Sequence, residues 1–178
     1  MEAAPVIDEG YPFGNQDLAL LLIRRAYPER TDDESAIIRD FLLARGAQYE
    51  RFQFSVRVGE GTPPDPAHLP AIQLATVWNS KKRIDMVVWQ GPRATIVEVK
   101  KRIGPGVLGQ LRTYRLLWLL ERPDALEPRL VAIGRTSDPD TLRVLRAEGV
   151  DVYLYEAAGG DGGAAAGGVL PVGEGAAG

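Results

Sequence analysis

The sequence lacks cysteine altogether and contains a single histidine. Without cysteine there is no disulfide framework, no thiolate zinc site, no cysteine-ligated iron–sulfur cluster and no cysteine nucleophile. The one histidine, His68, lies in a proline-rich stretch, which leaves little basis for histidine catalysis or for a multi-histidine metal site. Any catalysis must therefore depend on carboxylates, lysine, arginine, tyrosine or hydroxyl groups.

Long apolar segments are also missing. No uninterrupted apolar run reaches the roughly 18 residues that span a bilayer, and the first five residues have neither the basic start nor the apolar core of a secretory signal. We therefore expect a cytoplasmic protein with no membrane partner. The 178 residues, of which 45% are apolar, suit one globular domain.

The charge is slightly negative overall and unevenly distributed. The sequence has 21 Lys and Arg against 24 Asp and Glu, a formal net charge of −3. Residues 81–122 nevertheless contain ten basic and only three acidic side chains. A basic segment within an acidic protein favours local contact with a polyanion, although a solvated basic face would have the same composition.

Hydrophobic spacing predicts helices and strands in alternation. We expect a helix over about 16–27 and a second one that opens at the capping box formed by Thr31 and Glu34. A half-buried strand is predicted where four apolar residues alternate with polar ones, namely Phe52, Phe54, Val56 and Val58. Further strands are predicted over 71–78, 84–89 and 94–99, the last two joined by a tight turn at Gly91 and Pro92.

The remainder of the chain continues the same alternation. A helix is predicted from Pro105 to about 121, then a strand over 130–133, a helix that ends at Gly149 and a strand over 152–155. The chain is therefore expected to be an α/β protein with a mixed sheet. Residues 1–156 would form one domain, with an N-terminal helical extension over 1–31 and a core over 32–156. Residues 157–178, with nine glycines and seven alanines, are expected to be a flexible tail.

The predicted hairpin carries the strongest functional signal. Asp85 precedes the turn and Glu98 follows it at nearly the same distance, so the two carboxylates should lie at the same end of the sheet. Glu98 and Lys100 should share one face because side chains alternate along a strand. The sequence has four lysines against 17 arginines, and residues 98–100 form its only triplet of an acidic residue, any residue and lysine.

Two carboxylates and an ammonium at one point suit a hard divalent cation. Mg²⁺ prefers oxygen ligands, keeps several waters and binds substrate phosphates, and it lowers the pKa of a bound water. The reaction that this group supports is phosphodiester hydrolysis. A cross-strand salt bridge on the surface, worth about 0.2–1 kcal/mol, is the alternative interpretation.

In this arrangement the sequence resembles the PD-(D/E)XK nuclease superfamily. The resemblance rests on Asp85, on Glu98 to Lys100, and on Gln110 and Tyr114 in the next helix, which are similar to the Gln-x-x-x-Tyr motif of the RecB-like branch. It covers roughly residues 32–134. It implies a restriction-endonuclease-like core of α-β-β-β-α-β order, with a mixed central sheet flanked by helices.

The resemblance also implies roles for individual residues. Asp85 and Glu98 would be metal ligands, together with the backbone carbonyl of Val99, and Lys100 would be the catalytic lysine. A glutamate of the first core helix often completes such a site, and Glu34 is the candidate, although its place in the capping box explains it equally well. The residues expected to position or bind substrate are Gln110, Tyr114, Arg112 and Lys101.

We therefore predict a deoxyribonuclease that depends on Mg²⁺, with Mn²⁺ as a possible substitute, acting in DNA processing, recombination, repair or defence. The sequence has no helicase motif and no phosphate-binding loop of the Gly-x-x-x-x-Gly-Lys type, so translocation along DNA would require a helicase or another DNA-processing partner. Two alternatives remain open. One is a non-catalytic nucleic-acid-binding or assembly module that retains the nuclease-like fold, and the other is a small structural adaptor.

Overall fold

The structure, a computed structural model, describes residues 11–156. The predictions for the flexible tail over 157–178 lie outside the described residues. A short 3₁₀ turn at Asn15–Asp17 comes directly before the first helix, and another at Gly46–Gln48 comes directly after the second. The helices are α1 (Leu18–Ile23), α2 (Asp32–Arg45), α3 (Pro70–Ser80), α4 (Gly106–Glu121) and α5 (Pro139–Ala147). The strands are β1 (Tyr11–Gly14), β2 (Arg51–Val58), β3 (Lys82–Gln90), β4 (Arg93–Ile103), β5 (Arg129–Ser137) and β6 (Val150–Leu154).

The strands form one six-stranded mixed sheet, which confirms the predicted α/β class. The spatial order follows the chain order from β1 to β6. The pairs β1–β2, β2–β3 and β3–β4 are antiparallel, whereas the pairs β4–β5 and β5–β6 are parallel. The parallel pairs are connected by α4 and α5, as crossover connections require. The turn between β3 and β4 occupies the predicted two residues, and Gly91 adopts a φ of 56° there, a conformation that glycine favours.

Both faces of the sheet are buried by helices. One face packs against α1 and α2 and forms the α2-side cluster, whose buried residues include Leu21, Ile38, Phe41, Phe54, Met86, Val97 and Val99. The other face packs against α4 and forms the α4-side cluster, whose buried residues include Val56, Ile84, Val87, Ile96, Leu111, Tyr114 and Trp118.

Strand β2 changes the face that it buries at its middle. Phe52 and Phe54 belong to the α2-side cluster, whereas Val56 and Val58 belong to the α4-side cluster. The prediction of one half-buried strand with a single apolar face is therefore wrong. The physical reason is Ser55, whose positive φ of 55° reverses the alternation of side chains.

Strand β3 makes the same change at the same level of the sheet. Ile84 packs in the α4-side cluster and Met86 in the α2-side cluster. Because Phe54 pairs with Met86 in the register of β2 and β3, the residues at the change of face are Ser55 and Asp85. The sheet is thus irregular where Asp85 lies.

The segment predicted as a strand over 71–78 is helix α3, so that prediction is wrong. Periodicity alone does not distinguish a short apolar strand from a helix, and Pro70 suits the first turn of a helix because its φ is fixed and its missing N–H is not needed. No side chain of α3 is buried. Several large apolar side chains are exposed along it, namely Ile72, Leu74 and Trp78.

The segment before α2 is more than the helical extension that was predicted. Its helix, α1, ends at Ile23 rather than near residue 27, and β1 adds an edge strand to the sheet beside β2. Tyr27 is buried in the α2-side cluster, and its hydroxyl donates a hydrogen bond of 2.7 Å to the carbonyl of Leu21. Within residues 11–156, no helix has the length and apolar character needed to cross a membrane.

Candidate active site

Asp85 and Glu98 lie opposite each other where β3 and β4 separate. The last residues paired at this end of the two strands are Met86 and Val97, and one further step of the antiparallel register matches Asp85 with Glu98. Only 4% of Asp85 and 1% of Glu98 is exposed. The structure therefore brings together two buried carboxylates at the end of the hairpin.

The carboxylate of Asp85 is held by two donors. The backbone N–H of Val99 donates a hydrogen bond of 2.8 Å to Oδ2, so Asp85 takes up a backbone donor at the point where the ladder between β3 and β4 stops. Nη1 of Arg30 forms a salt bridge with Oδ1. This pair is itself buried, with side-chain exposures of 4% for Arg30 and 6% for Asp85.

Glu98 is paired with the lysine two residues farther along β4. Nζ of Lys100 lies 2.5 Å from Oε1 of Glu98, as alternation along the strand predicts. The other oxygen, Oε2, is buried without a hydrogen-bond partner. Burial and, secondly, the charge of Asp85 raise the pKa of Glu98 to about 7, against the opposing effects of Lys100 and Arg30.

Tyr114 and Gln110 form a pair on one face of α4. Tyr114 is buried in the α4-side cluster, and burial together with the charges of Glu98 and Asp85 raises the pKa of its hydroxyl. Nε2 of Gln110 lies 3.5 Å from that hydroxyl, because residues four apart share one face of a helix. The charges of the two carboxylates therefore act on Tyr114, and Gln110 is the hydrogen-bond partner of that tyrosine.

Glu34 is not part of this group in the structure. Its Oε2 accepts a hydrogen bond of 3.0 Å from the N–H of Thr31, and the hydroxyl of Thr31 accepts one of 3.3 Å from the N–H of Glu34. This is the predicted capping box. Over residues 11–156, no three histidine, cysteine, aspartate or glutamate side chains come together as a metal-binding group, so Glu34 does not join Asp85 and Glu98.

The two basic residues predicted to bind substrate are exposed and paired with carboxylates. Nζ of Lys101 lies 2.8 Å from Oδ2 of Asp33, with 72% of the lysine side chain exposed. Arg112 forms a salt bridge with Glu148, with 52% of the arginine side chain exposed. Water screens exposed pairs of this kind, so they contribute little to stability, and both cations remain accessible to a competing anion.

Arg30 is the residue at this site that the sequence did not indicate. It is separated from Asp85 by 55 positions, and no motif or periodic pattern includes it. A basic residue in a turn is usually solvated. Its role depends on the chain returning to the sheet between α1 and α2, which no local spacing predicts.

The donor chemistry of the site fits a hard divalent cation. Asp85 and Glu98 supply carboxylate oxygens, the ligands that Mg²⁺ prefers, and the unpartnered Oε2 of Glu98 is available to a ligand. The charges, however, are already balanced, because two carboxylates face the cations Arg30 and Lys100. A metal ion would therefore have to compete with at least one of these cations.

Comparison with known proteins adds no family assignment. No protein-family model, no curated protein and no solved structure matches the chain.

Proposed function

We propose that the protein is a metal-dependent deoxyribonuclease that hydrolyses phosphodiester bonds. The observation that carries this proposal is the meeting of Asp85, Glu98 and Lys100 at the end of one hairpin. The order α2-β2-β3-β4-α4-β5 also agrees with the α-β-β-β-α-β core of the PD-(D/E)XK superfamily if α3 is an insertion between β2 and β3. Gln110 and Tyr114 are hydrogen-bonded to each other, and the charges of the carboxylates act on Tyr114, which supports a resemblance to the RecB-like branch.

In this proposal the carboxylates hold Mg²⁺ or Mn²⁺, and the carbonyl of Val99 is the third protein ligand. A bound Mg²⁺ would supply a water of lowered pKa and would offset charge on a phosphoryl oxygen. Lys100 keeps Glu98 in place and, with 35% of its side chain exposed, also reaches the solvent from which substrate arrives. Its ammonium can therefore contact a phosphate that gains negative charge in the transition state.

Substrate binding is assigned to groups around the carboxylates. Tyr114 and Gln110 would orient the substrate or the two carboxylates, and the exposed cations Lys101 and Arg112 would bind DNA phosphates by exchanging their present acidic partners. The sequence has no nucleotide-binding loop that could drive translocation. A helicase is therefore the kind of partner that would move the nuclease along DNA.

The direct test is cleavage of linear and circular DNA with Mg²⁺, with Mn²⁺ and with EDTA. Wild-type protein should cleave only with metal, and Asp85→Asn purified in parallel should lose at least 10²-fold in rate, which also controls for a contaminating nuclease. In the absence of DNA, Mn²⁺ should raise the melting temperature of wild type by binding the folded state and should leave that of Asp85→Asn unchanged. Equal responses of the two proteins would argue against a shared metal site.

One observation favours the second candidate, a non-catalytic nucleic-acid-binding module. Arg30 already serves as the counter-ion of Asp85, and a permanent pair of this kind would make a metal unnecessary for stability. In that case wild type would bind DNA in EDTA and would not cleave DNA, whichever divalent metal is added. The cleavage experiment with a DNA-binding measurement beside it therefore separates the two candidates.

A further inference from the structure

The salt bridge between Arg30 and Asp85 occupies the position at which a metal ligand is needed. Oδ1 of Asp85 is taken by Nη1 of Arg30, and Oδ2 accepts the hydrogen bond from Val99. Asp85 thus has both oxygens engaged within the protein. Each oxygen keeps a second lone pair, but a cation that binds there while Arg30 is in place would lie beside a buried positive charge. Arg30 is the donor that can move, because the backbone N–H of Val99 is fixed in β4.

Arg30 is only partly satisfied by this contact. Its Nε and Nη2 are buried and have no hydrogen-bond partner, and neither has Oε2 of Glu98. A buried polar atom without a partner is costly, because it has lost its hydrogen bonds to water. The arrangement around Asp85 is therefore one in which Arg30 gains a single ion pair and leaves two of its donor nitrogens unpaired.

The turn that carries Arg30 is anchored from one side. Pro28 accepts a hydrogen bond of 3.0 Å from the hydroxyl of Ser55, so the turn is tied to the point where β2 changes face. Glu29 has a positive φ of 56°, which a residue with a side chain rarely adopts. Its carboxylate holds this conformation through ion pairs with Arg57 at 3.1 Å and Arg83 at 3.3 Å.

We propose that Arg30 is a displaceable counter-ion that competes with the divalent metal for Asp85, and that the ion pairs of Glu29 set how readily it leaves. This inference relies on the proposed function for the identity of the metal. With Arg30 in place the two carboxylates are neutralised by two cations, and a divalent ion would be added to a neutral group. When Arg30 withdraws, Asp85 regains a free oxygen and the carboxylates regain negative charge, so both changes favour the metal.

The test measures Mn²⁺ binding by calorimetry without nucleic acid, in wild type, Arg30→Gln and Glu29→Gln. We expect Arg30→Gln to bind Mn²⁺ at least tenfold more tightly than wild type. Arg135→Gln is the matched control, since Arg135 is also a partly buried arginine in an ion pair, 2.5 Å from Asp40. Its affinity for Mn²⁺ should stay within about threefold of wild type.

Glu29→Gln separates displacement from simple electrostatics. Loss of a negative charge near the site would weaken the binding of any cation by Coulomb's law, whereas a loosened turn would free Asp85 and strengthen it. We therefore expect at least threefold tighter Mn²⁺ binding by Glu29→Gln. This variant also keeps the buried pair intact, so it remains informative if Arg30→Gln does not fold because two carboxylates are left without that partner.

The outcomes distinguish this inference from the proposed function. Suppose that wild type binds Mn²⁺, that Asp85→Asn does not, and that neither Arg30→Gln nor Glu29→Gln binds more tightly than wild type. Then the proposed competition by Arg30 is wrong, while the proposed metal site is supported. If neither wild type nor any variant binds Mn²⁺, the metal site is wrong and this inference with it. Tight binding by Arg30→Gln with none by wild type would support the competition in its strongest form.

Discussion

The two adjacent lysines of β4 have different surroundings. Lys100 contacts the buried Glu98, whereas Lys101 contacts the exposed Asp33 of α2. Because successive side chains of a strand point to opposite faces, only Lys100 contacts a carboxylate of the candidate active site. The pair therefore offers a substitution and its own control within one strand.

We expect Lys100→Arg to lose DNA cleavage and to keep DNA binding. Arginine preserves the charge, but its larger planar group does not replace a compact ammonium and cannot release a proton at any relevant pH. Cleavage should fall by 10² or more, as for a lost transition-state contact, while binding in EDTA should change less than about threefold. Lys101→Arg should leave both quantities within about threefold of wild type, because arginine keeps the charge and binds a phosphate as lysine does. Full cleavage by Lys100→Arg would exclude its catalytic role.

Glu98 should make the metal-free protein less stable as the pH rises. Its pKa is raised from 4.5 to about 7, chiefly by burial and then by the charge of Asp85. A carboxyl group with a raised pKa in the folded state stabilises the fold while it is protonated, fully below about pH 4.5, and this contribution is lost as the pH passes about 7. Glu98→Gln should remove this loss, which is on the order of 2 kcal/mol.

Urea unfolding in EDTA at about pH 5 and about pH 8 measures this effect. Wild type should lose more free energy of unfolding between the two values than Glu98→Gln. An identical pH dependence in both proteins would mean that Glu98 is ionised throughout this range.

Among the elements, α2 begins as its sequence predicts. The reciprocal hydrogen bonds of Thr31 and Glu34 satisfy backbone donors of the first turn. Glutamine can serve at the same position of a capping box, so Glu34→Gln should lower the free energy of unfolding by only a few tenths of a kcal/mol. Thr31→Ala, which removes the capping hydroxyl, should cost about 1 kcal/mol.

The same variant tests whether Glu34 is a metal ligand. From its place in the capping box we expect Glu34→Gln to retain cleavage and the Mn²⁺ affinity of wild type. A tenfold loss of cleavage together with weaker Mn²⁺ binding would return Glu34 to the metal site that the family resemblance implies.

Helix α3 should tolerate polar substitutions that a sheet strand would not. Leu74 is 74% exposed, so Leu74→Gln should change the free energy of unfolding by no more than about 0.5 kcal/mol. Leu111→Gln is the comparison, because Leu111 is fully buried in α4, and a polar group placed there should cost several kcal/mol. A large loss of stability in Leu74→Gln would mean that this segment is packed against the sheet after all.

At the scale of the whole molecule, the sheet separates two cores that should respond independently. Ile38 is fully buried in the α2-side cluster and Ile96 in the α4-side cluster. Each isoleucine changed to valine should cost about 1 kcal/mol. The double variant should lose the sum to within about 0.5 kcal/mol, since the two sites share no partners. Chemical denaturation of the two single variants and the double variant measures this, and strong non-additivity would indicate that the two faces are coupled through the sheet.

The sequence by itself determined the features that depend on neighbouring residues. The capping box of α2 and the glycine turn between β3 and β4 follow from local backbone chemistry. The approach of Asp85 to Glu98 follows from that turn and the period of two in a strand, and the placement of Gln110 beside Tyr114 follows from helical spacing. This part of the candidate site could therefore be predicted, because a hairpin and one helix carry it.

Only the tertiary structure decided the features that depend on distant parts of the chain. The helical state of α3 was not predictable from a short apolar run, and the change of face at Ser55 required a positive φ that its residue type does not favour. The pairing of Arg30 with Asp85 joins residues 55 positions apart. Such a contact depends on how α1, α2 and the sheet pack together, and no local spacing records that packing.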